Sequence, residues 1–479
     1  MSYKIKNRPD IELTEIEILL NKDISDEKVD TLMKDDIGAS FFLYINNIKD
    51  NKKGLILEHT YIVKFKIYND KFYPYIDLVF RDPTYIASNE LYPSDNTIIS
   101  FYKSSNSKLL LPIRLDFVIT HFQVLKDKKN TENRVYSIRA ILNFKNYSEN
   151  IAYRGTSLKV LQKIAKKCEL GFLSNIDNTD DEMLWINTNK YNSDFINDIT
   201  KHSYLDDNSI LYSFIDLYYA LNYMDIGKQL LDDTFKQTNI WTLPNLIPGD
   251  EDKEIVTPLL ITNHPNMIGS NSFIVKYYIN NDPRDINWDI GYTSYNYTYN
   301  KTENNCMNTE VEQQIDNDIT DKMIMKSLDK ELYNKKNYIG KQDNDNVHSN
   351  YLIAMKHNEN NLRFLTNSKM TIIIYTTNMS LYRLQLVEVV IYELANMKKM
   401  NVTSSTNDGS TDNDSESDSY RINNKISGKW LIIGINYTFN KGEISQEVSL
   451  VRRYMNNEYD KEKLDDFTKR YYKDYYKTK

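Results

Sequence analysis

The chain has 479 residues and a formal net charge of −7, from 60 Lys and Arg against 67 Asp and Glu. That length holds about three ordinary domains, the mild acidity argues against a protein living on non-specific phosphate contacts, and 41% hydrophobic with 12% aromatic residues excludes a chain disordered throughout. Two cysteines, Cys168 and Cys306, exclude a disulfide framework and a four-cysteine zinc site, and two free thiols are the simplest reading.

The chain opens on Met1-Ser2-Tyr3-Lys4-Ile5-Lys6-Asn7-Arg8, which lacks the apolar stretch of a signal peptide. No apolar run approaches the ~18 residues of a membrane span. A protein made in a cytoplasm and standing outside any membrane is expected. Residues 11–145 are β-rich. Ile11, Leu13, Ile16 and Ile18 alternate with polar residues, and residues 21–37 allow a short helix. Thr60 to Tyr68, Tyr75 to Phe80, Leu115 to Val124 and Val135 to Phe144 alternate as half-buried strands do. The polar groups Arg81-Asp82-Pro83 and Pro93-Ser94-Asp95-Asn96 read as turns between them. Strands at this spacing predict a barrel or a sandwich.

The pattern changes near residue 155. Gly155-Thr156-Ser157 reads as a loop ending in a helix N-cap, and Leu158, Leu161, Ile164, Ala165 and Cys168 recur at helical spacing. Gly171 is the expected stop. A second helix is expected from Asn192-Ser193-Asp194, with Phe195, Ile196 and Ile199 inward, and a buried strand over Ile210 to Tyr219. Residues 151–235 therefore form an α/β module between β-rich parts. Strands return in 236–300, most plainly at Phe273 to Ile279. Residues 301–364 form a polar insertion, partly helical, with a helix allowed over Asp318 to Leu332. Strands resume at Met370 to Tyr375 and Leu381 to Tyr392. Residues 402–425 read as a flexible loop, because they lack the apolar residues that offset the entropy of ordering. Lys429 to Phe439 and Glu443 to Arg453 form a hairpin about Asn440-Lys441-Gly442, and 456–479 is a charged tail with paired tyrosines.

No catalytic, cofactor-binding or metal residue is expected. His59, His121, His202, His264, His348 and His357 include no i, i+4 pair with the Glu of a zinc protease. Asp412, Asp414 and Glu416 have calcium-loop spacing, but Ser417 replaces the required Gly; His348 does the same after Asp343 and Asp345. Gly428-Lys429 and Gly340-Lys341 lack the rest of a phosphate loop, and no Gly-x-Ser-x-Gly elbow occurs. Asp180-Asp181-Glu182 and Asp206-Asp207 read as solvated loop acids. The 38 Tyr against 13 Gly, and the abundant Asn, follow A/T-rich codons.

Two stretches carry a resemblance. The first runs from Tyr153-Arg154-Gly155-Thr156-Ser157 through Leu161 to Gly171-Phe172-Leu173. It continues over Met183-Leu184-Trp185-Ile186 and Asp194-Phe195-Ile196, and ends over Ser203-Tyr204 to Phe214-Ile215-Asp216-Leu217-Tyr218-Tyr219-Ala220-Leu221-Asn222-Tyr223. The second runs from Ser427-Gly428-Lys429-Trp430-Leu431-Ile432-Ile433-Gly434-Ile435 to Ser445–Arg453, and Leu115–Thr120 adds a weaker third. In order and spacing they resemble the baseplate hub proteins of contractile-tailed bacteriophages, the T4-like hub family, related in fold to the base of type VI secretion spikes. The resemblance covers most of 1–240 and 350–455.

It implies a β-rich α+β chain with two tail-tube-like β-barrel domains, one in 1–150 and one in 236–300 plus 365–455, around an α/β connector at 151–235. It implies a structural virion protein, not an enzyme, with no cofactor. Three chains would form a homotrimer whose six barrels join a sixfold tail tube to a threefold spike. The implied partners are the central spike protein, the tail tube or its initiator, and inner baseplate wedge proteins. There would be no membrane, and DNA would cross the channel without specific binding, which an acidic bore favours. The place is the phage tail baseplate, assembled in the host bacterial cytoplasm. The rival readings are a tail-tube initiator or other tube-like ring, a tail-associated cell-wall hydrolase, and a receptor-binding tail protein.

Overall fold

A computed structural model describes residues 41–47, 55–57, 59–82, 97–103, 113–126, 134–206, 209–231, 260–270, 272–281, 293–300, 305–312, 347–348, 350–366, 368–375, 381–394, 420–440 and 443–452. The expectations for 11–40, 93–96, 236–259, 318–332, 402–419 and 456–479 lie outside these residues.

The first part of the chain supplies β1 (Phe41–Asn47), β2 (Leu55–Leu57), β3 (Ile62–Tyr68), β4 (Tyr75–Asp82), β5 (Thr97–Lys103), β6 (Ile113–Lys126) and β7 (Arg134–Leu142). The middle supplies β8 (Ser148–Gly155), α1 (Ser157–Lys167), β9 (Gly171–Leu173), β10 (Met183–Tyr191), α2 (Asn192–His202), β11 (Leu211–Ile215), β12 (Ala220–Asp225) and α3 (Ile226–Leu231). The last part supplies β13 (Leu260–Thr262), β14 (Lys276–Asn281), β15 (Thr293–Asn300), β16 (Asn305–Glu312), α4 (Tyr351–Leu365), β17 (Ser368–Ile374), β18 (Leu386–Val390), β19 (Tyr392–Leu394), β20 (Tyr420–Ile422), β21 (Gly428–Asn440) and β22 (Glu443–Arg452). No helix among the described residues is long and apolar enough to cross a membrane.

The fold is β-rich α+β. Thirteen strands make one sheet, ordered β14-β17-β22-β21-β3-β4-β7-β6-β5-β1-β2, with β18 beside β21 and β13 beside β18. Among the described residues of this sheet, only the short β13–β18 pair is parallel. The join is β21 against β3, with Tyr437 opposite Ile67 and Phe439 opposite Phe65. Strands from opposite ends of the chain thus share one hydrogen-bonded surface. They also share a core. Phe439 of β21 meets Phe41 of β1 edge-on at 5.0 Å, and Phe41 stacks on Phe65 of β3 at 5.6 Å. Such ring pairs add about 0.5–1.5 kcal/mol each beyond the area they bury.

Alternation dictates these strands, and bulges reset it. In β3, Phe65 and Ile67 are buried while Lys64 and Lys66 face outward. A register shift between Ile62 and Lys64 leaves Val63 exposed. In β6 the shift between Ile119 and His121 moves the inward phase from Leu115 and Phe117 to Phe122. In β21 the shift between Ile432 and Gly434 moves it from Trp430 and Ile432 to Ile435, Tyr437 and Phe439. One extra residue flips every later side chain to the other face. Arg81 and Asp82, expected in a turn, instead continue β4 opposite Val135 and Arg134, and Asp82 is buried. The expected 440–442 hairpin is present, with Asn440 opposite Glu443.

The middle module has its own sheets, β10-β8 and β11-β12-β9. Helix α1 buries Leu158, Leu161, Ile164 and Ala165 as their spacing predicts. Its start differs from expectation. Gly155 closes β8, and Thr156 occupies the N-cap without bonding through its side chain. The first free amide, Ser157 N, donates instead to Asp181 Oδ1 at 2.9 Å. Its stop differs too. Leu170 N donates to Ala165 O at 2.8 Å and Glu169 N to Lys166 O at 3.2 Å, a Schellman closure with Glu169 at φ +58°. Gly171 begins β9 rather than ending the helix. The strand expected over Ile210 to Tyr219 is a hairpin, β11 and β12, turned by Asp216. Its Oδ1 accepts from Tyr218 N at 2.7 Å and Ala220 N at 3.1 Å.

The polar insertion also differs from a bare excursion. Within it, β16 pairs with β15, which lies just before the insertion, and its last part is α4, packed against α2. The end of the expected 402–425 loop is ordered: β20 pairs with β19, and Asn423 Oδ1 accepts from Lys425 N at 3.1 Å.

Candidate functional site

Strand β21 changes neighbour along one edge. Its first residues pair with β18 and its last with β3, leaving 432–436 between two partners. Buried backbone groups there need other partners. Ile432 N donates to Gln385 O at 2.9 Å, and Leu384 N donates to Ile432 O at 2.6 Å. Ile435 N donates to Asn69 O at 3.1 Å, and Asn69 N donates to Asn436 Oδ1 at 3.0 Å. The β3–β4 turn thus reaches across and closes the gap. It comes so near that a Cβ on Gly434 would stand 2.8 Å from Asp70 Cβ and 3.1 Å from Asp70 Cα. Only glycine admits that approach.

Arg383 fills what remains. Its Nε donates to Ile433 O at 2.8 Å, Nη1 to Lys71 O at 2.6 Å, and Nη2 to Tyr212 Oη at 3.0 Å. Its guanidinium carbon lies 4.0 Å from the Phe214 ring centroid. One side chain therefore ties β21, the β3–β4 turn and β11 of the middle module. Burial pushes its pKa down, opposed by Tyr212, Asp70 and Asp216, yet a guanidinium keeps its charge. Two further bonds fix the module. Ile215 N donates to Phe72 O at 2.6 Å, and Tyr219 Oη accepts from Asp116 N at 2.8 Å. The Asp116 carboxyl, raised in pKa by burial, accepts from Ser100 Oγ at 2.5 Å.

A cleft of about 40 Å³ opens at this junction, lined among others by Asn69, Asp216, Tyr382, Arg383 and Tyr437. It has room for roughly three waters. Among the described residues no His, Cys, Ser or Thr lines it. The arrangement ties three segments of the chain together.

The residues weighed as chemistry in the sequence sit apart from this junction. His59 bonds Phe41 O at 2.9 Å and stacks on its ring, His121 is exposed, and His264 caps a short turn by accepting from Asn266 N at 3.3 Å. His202, His348 and His357 gather between α2 and α4. Among the described residues no group of three His, Cys, Asp or Glu could hold a metal. Cys168 is buried, its thiol pushed up to about 12 by desolvation. Asp181, expected to be solvated, is fully buried and takes Ser157 N and Tyr204 N on its two oxygens. Gly428-Lys429 begins β21, while residues 340–345 and 412–416 lie outside the described residues. Arg383 went unnoticed in the sequence, although a lone cation inside the apolar run Leu381 to Tyr392 is a usable signal.

No protein-family model matches the chain, and no curated protein sequence matches it. Several solved structures do. A tail protein from Neisseria meningitidis MC58 is 9% identical with a TM-score of 0.45, over 86% of this chain and 96% of its own. A 43 kDa tail protein of prophage MuSo2 from Shewanella oneidensis is 8% identical with a TM-score of 0.46, over 86% of this chain and 97% of its own. A Francisella PdpA–VgrG complex is 10% identical with a TM-score of 0.43, over 93% of this chain and 64% of that one.

Proposed function

We propose that this chain is a structural part of a contractile phage tail and, within it, the baseplate hub. The reading has no catalytic step. Two tube-like barrels, one from 1–150 and one from 236–300 with 365–455, stand side by side about the 151–235 connector. Three copies make a ring of six barrels that meets a sixfold tube on one face and a threefold spike on the other. DNA passes through the ring without specific binding.

The observation that supports it is the β21–β3 pairing, sealed by Arg383 and the Gly434–Asp70 contact. A hub needs its two barrels fixed in one ring at a set angle, and a shared sheet with a shared core supplies such a joint. The outermost strands of that sheet, β14 and β2, have one partner each among the described residues. Sheet edges of this kind suit pairing with another copy. Mass photometry of the purified chain tests the reading. A species at three times 56.6 kDa is expected. A hexamer would favour the tube-initiator reading, and clearing of bacterial wall material in a zymogram would overturn the non-enzymatic one.

A further inference from the structure

The N-terminal end of α4 is held to the C-terminal end of α2 by a pair of imidazoles. His202, the last residue of α2, lies flat on Tyr351, the first residue of α4, with centroids 3.9 Å apart and planes 3° apart. Its Nδ1 donates to Tyr351 O at 3.2 Å. In return, Nε2 of His348 donates to His202 O at 2.9 Å. The His348 ring stands edge-on to Tyr351 at 5.7 Å and 6.2 Å from Trp185. Each neutral imidazole spends its one N–H on a carbonyl of the other side. His348 Nδ1 is buried with no hydrogen-bond partner among the described residues.

We propose that this clasp is an acid-released latch. With both rings neutral it pins the start of α4 to the end of α2, and protonation of either ring lets that end of α4 lift. Protonation of His348 would create a second N–H at Nδ1, where no described residue accepts it. Protonating both rings would set two cations side by side, with Lys201 adjacent.

The charged groups facing the clasp do not offset this. On α2, Asp198 is engaged by Lys190 of β10. Before β10, Asp181 already serves two amides, and Asp180 is exposed. The dipole at the end of α2 favours a charged His202, but the net effect on that ring is a lowered pKa, with burial the largest cause. Burial is the largest effect on both rings and lowers both pKa values. The sign follows. A folded pKa below the unfolded value near 6.5 means the docked state is fully stable above that pH and loses stability as pH falls through it.

Release would begin at one end of α4. Further along, Asn358 holds α2 without a titrating group. Its Nδ2 donates to Ser203 O at 2.8 Å, and its Oδ1 accepts from Leu211 N at 3.2 Å. His357 Nε2 donates to Ser209 O at 2.7 Å and faces the Tyr204 ring.

Hydrogen exchange of the full chain at pH 7.5 and pH 5.0, each scaled to the intrinsic rate, tests the latch. Protection over residues 351–356 is expected to fall about tenfold or more at the lower pH, while residues 430–435 of β21 stay unchanged. The double variant His202→Asn with His348→Gln keeps both donors and removes both titrations. It should hold the same protection at the two pH values. Equal protection in the unaltered chain, or an unaltered loss in the variant, overturns the proposal. Should the variant fail to fold, imidazole titration of the unaltered chain by NMR decides. The protection loss must share its midpoint with the His202 or His348 ring, and a midpoint matching neither overturns it.

Discussion

Arg383 shows how one buried cation can be worth its desolvation. Its three donors reach segments more than three hundred residues apart in sequence, with Lys71 and Ile433 at the extremes. Among the described residues Ile433 has no register partner in β18, β3 or β22 to replace the lost donor. Arg383→Ala is therefore expected to lower the unfolding free energy by roughly 2–4 kcal/mol, read by urea denaturation. Arg383→Lys should recover little of that. An ammonium cannot fork to two carbonyls while lying on the Phe214 face. A Lys variant as stable as the parent would show that charge alone matters. Arg452 is the comparison within the same fold. It is also fully buried and lies 4.1 Å from the Trp430 ring centroid. Burial takes its pKa down to about 9. It serves carbonyls of a single turn, at Lys425 and Ser427, and so secures one hairpin rather than a junction of three parts.

At the scale of elements, Gly434 sets how closely the β3–β4 turn meets β21. Gly434→Ala places a methyl 2.8 Å from Asp70 Cβ, and such overpacking costs roughly 1–3 kcal/mol. In an Asp70→Gly background that cost should fall but not vanish, because the Cα of residue 70 still stands 3.1 Å away, and a double-mutant cycle by denaturation measures the difference. Equal costs in both backgrounds would show that the Asp70 side chain does not touch β21 there. Much of the element map was legible in the sequence. Thr60 to Tyr68 and Lys429 to Phe439 alternate because one face of each strand is buried, and Leu158 to Cys168 recurs because one helical face is. The bulges at Val63, Thr120 and Ile433 were not legible, since an extra residue leaves both flanking alternations intact. Helix α4 was missed because buried polar residues, His357 and Asn358, interrupt its apolar face. Asp181 was misjudged because the amides that recruit it, Ser157 N and Tyr204 N, are distant in sequence. The junction was the least legible feature. Its partners at 71, 212, 383 and 433 meet only after three segments have folded.

At the scale of the whole molecule, the thirteen-strand sheet does not depend on the polar stretch between β19 and β20. Those two strands pair directly, with Leu394 opposite Tyr420 and Tyr392 opposite Ile422. The ends of the connection are therefore close without it. A shorter connection closes at a slightly lower entropic cost, about 0.6 kcal/mol per halving of its length. Residues 404–418 carry only polar and glycine side chains, so deleting them removes no apolar side chain. Deleting 404–418, and leaving β20 and Asn423 in place, should keep the melting temperature within about 2 °C, since a 1 kcal/mol change moves a chain of this size by no more than a few degrees. Mass photometry should return the same assembly as the full chain. A deletion that melts normally but no longer assembles would place 404–418 in an interface between subunits. A deletion that melts early would instead mean that the β19–β20 pair draws its register from residues beyond it.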